Sequence, residues 1–363
     1  MKASLKPSVN WLFAFIPITV ILENAGELPA PLIFFSAAIA IVPVAALIVR
    51  GTENLAVHTG DAIGGLLNAT FGNAPELIIA LVALRAGYPD MVRASIIGAI
   101  LANLLLALGI GFVLGGLRHH TQEYTPKATR SYSTMMLIAV VSLAVPSAFS
   151  RFFAPDSTVR EETLLNVGTA GVLLGAYVLY LLFSIKTHPE EFTSDSSEGG
   201  HEHHGAVWSV SRALGSLVGA SVLAAWMSEI LVGAAEATGE SLGMSEVFIG
   251  IVFLAIVGGA AESGSAIAMA RKNKMDLSLG IALGSSIQIA LFVAPVLVLA
   301  SFFIAPEPLE LSFRRSELGA LFFAVLIGAF VSGDGRSNWF KGVQLVAVYL
   351  IMALMFYFIP DPA

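Results

Sequence analysis

The sequence predicts an all-α polytopic membrane protein with about eleven transmembrane helices. Of its 363 residues, 56% are hydrophobic and 12% are charged, whereas a soluble globular protein carries about 25% charged residues. Apolar runs of about 20 residues, the length that crosses a ~30 Å hydrocarbon core as a helix, recur along the chain. These runs are continuous rather than alternating, which favours helices over a β-barrel. The composition therefore excludes a soluble enzyme.

Charged residues and Gly or Pro separate the apolar runs and set the limits of the predicted spans. The first run follows Lys2 and Lys6 in the manner of a signal peptide. Because no small-residue cleavage site follows Glu23, we interpret it as a retained helix. In order, the spans are residues 10–26, 29–50, 55–86, 92–117, 131–149, 161–186, 208–236, 244–270, 276–304, 314–332 and 338–359.

The distribution of basic residues predicts the orientation of the chain. With eleven spans, thirteen of the 19 Lys and Arg residues fall on the side of the N-terminus. The positive-inside rule then places the N-terminus in the cytoplasm and the C-terminus outside. Net charge is −7 and the basic residues are scattered, so we expect membrane lipid but no nucleic acid as a partner. The absence of Cys excludes disulfides and thiolate metal sites.

A polar segment divides the chain after the sixth span. Residues 187–205 read THPEEFTSDSSEGGHEHHG, with five carboxylates and four histidines. Carboxylates and imidazoles are metal ligands, so a metal-sensing element is one interpretation. Because the spacing is not that of a known calcium loop, a solvated cytoplasmic linker is the interpretation we favour.

The two halves contain an internal repeat. The segment Gly72-Asn73-Ala74-Pro75-Glu76 recurs as Gly258-Gly259-Ala260-Ala261-Glu262, and we call the difference in numbering between the two the repeat offset. Gly98-Ala99 recurs at the same offset as Gly284-Ser285. The equivalent spans are the third and the eighth, and their odd separation makes them cross the membrane in opposite directions. An inverted repeat of this kind is typical of secondary transporters, whose site lies near the midplane.

The repeat predicts four segments. Residues 1–28 form an added N-terminal helix, and residues 29–186 form the first five-helix repeat. Residues 187–207 form the acidic, His-rich linker, and residues 208–360 form the second, inverted repeat.

Glu76 and Glu262 are the candidate exchange residues. Each lies inside an apolar run, where a carboxylate costs at least about 2.5 kcal/mol and by default marks an ion or proton pathway. Their equivalent positions in the repeat indicate one shared site. The structural alternative is a hydrogen bond between helices from a permanently protonated glutamate.

The residues around the two glutamates can open a helix and supply oxygen ligands. Pro75 removes a backbone donor, and Gly72, Gly258 and Gly259 tolerate non-helical torsions. Small residues also allow close helix packing, which explains many of the glycines. Side-chain oxygens nearby belong to Asn73, Asn103, Ser263, Ser265, Ser285, Ser286 and Gln288.

Such an oxygen-only site suits a hard cation. Ca²⁺ takes six to eight oxygens in flexible geometry, whereas Mg²⁺ requires a tight octahedron. Ca²⁺ is therefore the best single candidate, and Na⁺, K⁺ and Mn²⁺ remain open. Ca²⁺ and protons are expected as transported ions, and no cofactor is expected.

Other acidic residues lie near the ends of spans. Glu53, Asp61, Glu229 and Glu236 could form a vestibule or a proton path, or could be solvated caps. Asp61 is fifteen residues from Glu76, or ~22 Å along a helix, so it cannot share the central site. Asp334, in GDGRSN, has the sequence context of a turn and cap before the last helix.

At these residues the sequence resembles a calcium/proton antiporter of the cation/calcium exchanger superfamily. The resemblance extends from about residue 43 to the end and is carried by five motifs. They are TGDAIGGLLNATFGNAPELIIALVALRAG, SEILVGAAEATG, GGAAES, GSSIQIALFVAPVLVL and DGRSNWFKGVQLVAVYLIMALMFYF.

The resemblance implies an eleven-helix fold with inverted five-helix repeats and an acidic linker. It also implies that Glu76 and Glu262 exchange the ions and that Asn73, Ser285 and Gln288 are ligand or supporting residues. The family's second motif usually reads GNAAEH, but here Gly259 replaces the Asn and Ser263 replaces the His. Ala99 stands where the family often has Ser.

Charge suggests how exchange becomes obligatory. An empty pair of ionised carboxylates is costly to occlude, whereas one Ca²⁺ or two protons neutralise it. A Na⁺/H⁺ or K⁺/H⁺ antiporter on the same fold is the alternative. A channel or scaffold is disfavoured because one acidic pair is not a multi-ion pore. The expected location is a prokaryotic plasma membrane.

Overall fold

The computed structural model describes residues 8–26, 28–59, 61–188 and 207–360. Most of these residues are helical, which confirms the all-α fold class. Residues 189–206, most of the predicted linker, lie outside the described part of the chain.

Seven helices precede the linker, and the third and fourth are separated by only two residues. Pro residues stand in the first turn of the second, fourth and fifth helices, where their missing N–H costs nothing. The helices are α1 (Val9–Asn24), α2 (Ala30–Val57), α3 (Asp61–Phe71), α4 (Ala74–Arg85), α5 (Pro89–His119), α6 (Pro126–Phe153) and α7 (Val159–Thr187).

Six helices follow the linker, and the second and third of them are separated by a single residue. They are α8 (Val210–Leu242), α9 (Glu246–Gly258), α10 (Ala260–Arg271), α11 (Met275–Ile304), α12 (Arg315–Ser332) and α13 (Trp339–Tyr357). Short antiparallel strands, β1 (Thr121–Glu123) and β2 (Arg336–Asn338), complete the described structure.

Eight of the described helices are long and apolar enough to cross a membrane. The pair α9 and α10 passes the same test as one span bent by 60°. The chain is therefore an integral membrane protein. Each of the eleven predicted spans overlaps one of these helices, α1, or a pair of shorter helices.

The predicted boundary between the second and third spans is wrong. The second span is expected to end at residue 50, but α2 continues to Val57. The third span is expected to begin at residue 55, but residues 55–57 complete α2, and the next helix begins at Asp61. No Gly or Pro lies between Gly51 and Gly60, so nothing in this stretch breaks the helix before His58, whose N–H still bonds to the carbonyl of Leu55.

Helix limits follow the repeat offset found in the sequence. Helix α4 begins at Ala74 and ends at Arg85, and α10 begins at Ala260 and ends at Arg271. Both limits are shifted by the same offset that relates Gly72 to Gly258. The starts of α5 and α11 are related in the same way. The offset found in a few motif residues therefore extends to the limits of whole helices.

Helix α5 lies at the centre of the molecule. Buried residues make up 83% of its apolar window, against 17% for α7. It packs against α9, α10 and α13. Glycines allow the closest approach, because a Cβ built on Gly342 of α13 would lie 2.5 Å from the carbonyl oxygen of Gly109 in α5. A Cβ on Gly116 would lie 2.2 Å from the backbone nitrogen of Trp339.

Contacts among the segments that connect the helices show which of them lie at the same end of the bundle. At one end β1 pairs with β2, and the backbone N–H of Thr125 donates to Asp276. At the other end Asp90 forms ion pairs with Arg93 and Arg314. The pairings agree with the alternation of loops that eleven spans require.

The turn before α13 differs from the prediction in its cap. Asp334 accepts hydrogen bonds from the N–H of Arg336 and from Lys341 Nζ, which gives it the predicted place in the turn. The cap itself is Asn338, whose Oδ1 accepts from the N–H groups of Phe340 and Lys341.

Candidate cation site

The candidate site forms where two helices are interrupted. Gly72 and Asn73 separate α3 from α4, and Gly259 separates α9 from α10. Asn73 and Gly259 have ψ angles of 17° and 7°, well outside the α-helical range, in which ψ is strongly negative. Gly and Pro residues at these positions explain the interruptions. The two breaks are related by the repeat offset, as the sequence predicts.

Each break presents a glutamate in the first turn of the following helix. Glu76 is the third residue of α4, and Glu262 is the third residue of α10. Free backbone N–H groups and the helix dipole favour negative charge at this position. The local sequence therefore places each carboxylate where its helix stabilises it.

The two breaks lie against each other. A Cβ built on Gly258 would lie 2.9 Å from Cγ of Glu76, and one built on Gly72 would lie 3.1 Å from Oε1 of Glu262. Each glycine of one repeat thus contacts the glutamate of the other. The absence of side chains at Gly72 and Gly258 is what allows the acidic pair to come together.

Several buried polar atoms of the pair and of Asn103 have no protein partner in the described residues. They are both carboxylate oxygens of Glu76, Oε2 of Glu262 and Nδ2 of Asn103. Glu76 is only 9% exposed. Buried polar groups are normally hydrogen bonded, and unpaired ones need a reason, such as a bound ion or a proton. The carboxylate oxygens can serve as cation ligands.

An amide and hydroxyl network adjoins the pair. Oγ of Ser285 donates to Oδ1 of Asn73 at 3.1 Å, and Nδ2 of Asn73 donates to Oε1 of Gln288 at 2.5 Å. Asn73 is fully buried. The three residues expected from the sequence as ligand or supporting groups are therefore in mutual contact and join the first repeat to the second.

Four further predicted residues have different surroundings. Oγ of Ser263 lies 3.4 Å from Oδ1 of Asn103, and both residues belong to the site. Ser286 instead donates to the carbonyl of Ala282 in its own helix. Pro75 is buried in the first turn of α4.

A cavity of about 310 Å³ leads to Glu262 from one end of the bundle. It extends from the exposed residues Glu53 and Leu277 to Ser285 and Gln288. A second cavity, of about 20 Å³, borders Glu76 from the other direction. The site is therefore widely accessible from the end that holds β1 and β2.

The acidic residues near span ends fall into three groups. Glu53 lines the large cavity, and its vestibule role stays a prediction. Glu229 pairs with Arg85 at 3.7 Å, and Glu236 accepts a hydrogen bond from Tyr88 at 3.1 Å. Asp61 begins α3, and its side chain lies outside what the structure describes.

Sequence reasoning misses Asp276 and Tyr132, which also line the large cavity. For Asp276 a signal exists, because the repeat offset relates it to Asp90 and both stand in the first turn of equivalent helices. Tyr132 has no such signal, since its place depends on the packing of α6 against α11.

The arrangement can hold a hard cation. Carboxylate, amide and hydroxyl oxygens are the ligands that Ca²⁺ and similar ions prefer. Within the described residues, no cluster of three or more His, Cys, Asp or Glu could hold a metal. Neutral oxygens would therefore have to complete the shell around the two carboxylates.

The fold and the site define a polytopic membrane protein with two glutamates at adjacent helix interruptions. The chain belongs to the sodium/calcium exchanger protein family, whose sequence profile matches residues 29–186 and 212–358. It is 41% identical over 365 residues to a Ca²⁺/H⁺ antiporter of Aphanothece halophytica, covering 96% of each chain. It is also 41% identical to the Ca²⁺/H⁺ antiporter ChaA of Bacillus subtilis over 345 residues, covering 95% of this chain and 97% of that one.

Solved structures resemble the whole chain. Native YfkE superimposes with a TM-score of 0.83 at 38% identity, covering 97% of this chain and 100% of that one. The H⁺/Ca²⁺ exchanger CAX superimposes with a TM-score of 0.71 at 13% identity, covering 96% and 91%. The second likeness concerns the fold alone.

Proposed function

We propose that the protein is a secondary antiporter that exchanges Ca²⁺ for protons by alternating access to the site at Glu76 and Glu262. The observation that carries the proposal is the close approach of each glutamate to a glycine of the other repeat across the breaks in α3–α4 and α9–α10, with three of the four carboxylate oxygens buried and without a partner in the described residues. Full-length likeness to Ca²⁺/H⁺ antiporters supports it.

Charge makes the exchange obligatory. With both glutamates ionised and no ion bound, the buried site would hold two negative charges, and occluding them costs several kcal/mol per ion. One Ca²⁺ neutralises the pair, and so do two protons. Only these loaded forms pass readily between the two sides, so the carboxylates carry either the cation or the protons.

Each group has a defined task in this mechanism. Glu262 receives ions from the large cavity, and Glu76 binds them from the opposite helix break. Asn73, held by Ser285 and Gln288, keeps an amide beside the pair. Helix interruptions supply backbone carbonyls that are free of helical hydrogen bonds.

The large cavity determines from which side of the membrane ions reach the site. It opens at the end that the positive-inside rule assigns to the cytoplasm. We infer a cytoplasm-facing form in a prokaryotic plasma membrane, with Ca²⁺ leaving the cell as protons enter. Glu53 and Asp276 in the cavity wall attract cations toward Glu262.

The test is proton-gradient-driven ⁴⁵Ca²⁺ uptake into inverted vesicles. Wild type should accumulate Ca²⁺, and Glu76→Gln or Glu262→Gln should abolish uptake because one charge can no longer neutralise the ion. Glu123→Gln, which removes an exposed carboxylate paired with Arg336 outside the site, is the control and should retain uptake.

The same vesicles distinguish the alternative cation. If Ca²⁺ fails to discharge the gradient while Na⁺ or K⁺ does, the protein is a monovalent cation antiporter on this fold. A reversal potential that required one proton per Ca²⁺ would contradict the two-proton mechanism.

A further inference from the structure

The two repeats do not contribute equally to the cation site. The first repeat's Asn73 bonds to Ser285 and Gln288 of the second repeat. The repeat offset relates these three to Gly259, Ala99 and Ala102. The equivalent positions thus replace an amide, a hydroxyl and a second amide by three residues without polar side chains.

We propose that Gly259 leaves one ligand position of the site without a protein oxygen, so that a bound cation keeps a water molecule there. This inference rests on the proposed function and concerns how many ligands the protein itself supplies. It makes Gly259 a specificity-determining residue. Restoring an oxygen at this position should strengthen cation binding.

The surroundings of Gly259 have room for a ligand. A Cβ built there would lie 3.6 Å from Oε1 of Glu76 and 3.8 Å from Oδ1 of Asn103, both ordinary contact distances. Its tightest contact, 3.3 Å, is with the carbonyl oxygen of Ala255. At the adjacent Gly258 the Cβ would lie 2.9 Å from Cγ of Glu76. Gly258 is therefore closed to a side chain, whereas Gly259 accepts one beside the carboxylate if the Ala255 carbonyl shifts by a few tenths of an ångström.

The two side chains that a Cβ on Gly259 would meet also carry atoms without a partner. Oε1 and Oε2 of Glu76 and Nδ2 of Asn103 have no hydrogen-bond partner in the described residues, and all are buried. The carboxylate oxygens can take a cation, a proton or a hydrogen bond from water, whereas the amide Nδ2 can only donate and needs an acceptor such as a water oxygen. A cation bound between Glu76 and Glu262 with too few protein ligands retains water, as Ca²⁺ sites commonly do.

The decisive comparison is Gly259→Ser against Gly259→Ala, with Ca²⁺ binding to the purified full-length protein measured at equilibrium. Both variants add a Cβ with the same steric demand, but only Ser adds an oxygen. We expect Ser to bind Ca²⁺ about tenfold more tightly than Ala, the effect of one good interaction with a charged group. Gly259→Asn should bind at least as tightly as wild type.

Equal dissociation constants for the Ser and Ala variants, with unchanged melting temperatures, would overturn the inference. Gly258→Ala is the matched control and should lose binding, because its Cβ displaces Glu76. Running the series with Mn²⁺ and Na⁺ separates the two proposals. A wild type that binds these ions but not Ca²⁺ contradicts the proposed substrate, whereas the Ser-to-Ala ratio tests Gly259 with whichever ion binds.

Discussion

Ser285 and Ser286 are adjacent in α11 but have different partners. Ser285 donates to Asn73 of the other repeat, whereas Ser286 donates to a carbonyl of its own helix. Ser285→Ala should therefore raise the KM for Ca²⁺ by up to about tenfold, because Asn73 loses a hydrogen bond worth about 1 kcal/mol and its fixed orientation. Uptake by vesicles at varied Ca²⁺ measures this effect.

Ser286→Ala is the control for that substitution. It removes a hydroxyl of the same size from the next residue without disturbing Asn73, so its KM should stay within about twofold of wild type. Equal effects of the two substitutions would contradict the role given to the network of Asn73, Ser285 and Gln288.

We predict that Asp334, which lies outside the membrane-spanning helices, makes a pH-dependent contribution to stability. Desolvation would raise its pKa, but hydrogen bonds from Lys341 and Arg336 outweigh it and hold the pKa below the ordinary 3.8. The stabilisation is therefore present above the unfolded pKa and is lost as the pH falls through the lower folded pKa. Asp334→Asn should lower the melting temperature at pH 7.

The difference between wild type and Asp334→Asn should stay constant from about pH 5 to 8 and shrink below about pH 4. Melting temperatures measured across this range check the prediction. A difference that grew on acidification would show that the ion pair with Lys341 is not its source.

At the scale of single residues, the sequence is enough to predict a site residue when its side chain is unfavourable in its surroundings. Glu76 and Glu262 are predictable because an ionisable side chain in an apolar run is costly. Asp276 is not singled out, because it stands at a helix start where acidic residues are common. Only the packing of α11 against α6 brings Asp276 and Tyr132 to the same cavity.

Helices α5 and α9 cross at Gly98, where the repeats again differ. A Cβ built on Gly98 would lie 2.1 Å from the carbonyl oxygen of Ile251, whereas one built on the equivalent Gly284 meets no described atom within 4 Å. Gly98→Ala should separate the two helices and destabilise the protein by about 1–3 kcal/mol or more. Gly284→Ala should be tolerated.

Thermal unfolding in detergent measures both variants. Because the substitutions are chemically identical and occupy equivalent positions, a general effect of adding a methyl group to a helix cancels in the comparison. Similar melting temperatures for the two variants would contradict the close approach of α5 to α9.

The first or last residue of a helix can be predicted only where the sequence has a residue, such as Pro, that starts or stops helices. Pro89 and Pro126 mark true starts, whereas the charged residue Arg50, the predicted limit of the second span, lies inside α2. A helix end facing water can extend through charged residues such as Glu53, since these are good helix formers. Short breaks at Asn73 and Gly259 are expected from Gly and Pro.

The whole molecule is free of cysteine, so its orientation can be tested with single cysteines. Arg130 and Asp156 are exposed near opposite ends of α6. In intact cells, a membrane-impermeant maleimide should label Asp156→Cys but leave Arg130→Cys unlabelled until the membrane is permeabilised. The inverse pattern would place the N-terminus outside.

Which helices lie together is less predictable than how many there are. The repeat and the alternation of loops predict two ends of the bundle, and the contacts of Asp90 with Arg314 and of β1 with β2 agree. The central position of α5 is not predicted. It depends on close approaches at Gly109, Gly116 and Gly342, and glycine in an apolar run does not specify its neighbour.

The contact between α5 and α13 also bears on the order of synthesis. Gly342 is made long after Gly109, with a delay of about 10 to 50 s at ordinary translation rates. Throughout that interval the glycine-lined surface of α5 has no partner helix. A nascent chain released before Trp339 would therefore expose this surface to lipid and to quality-control proteases, so assembly of the first repeat is completed only once α13 has been made.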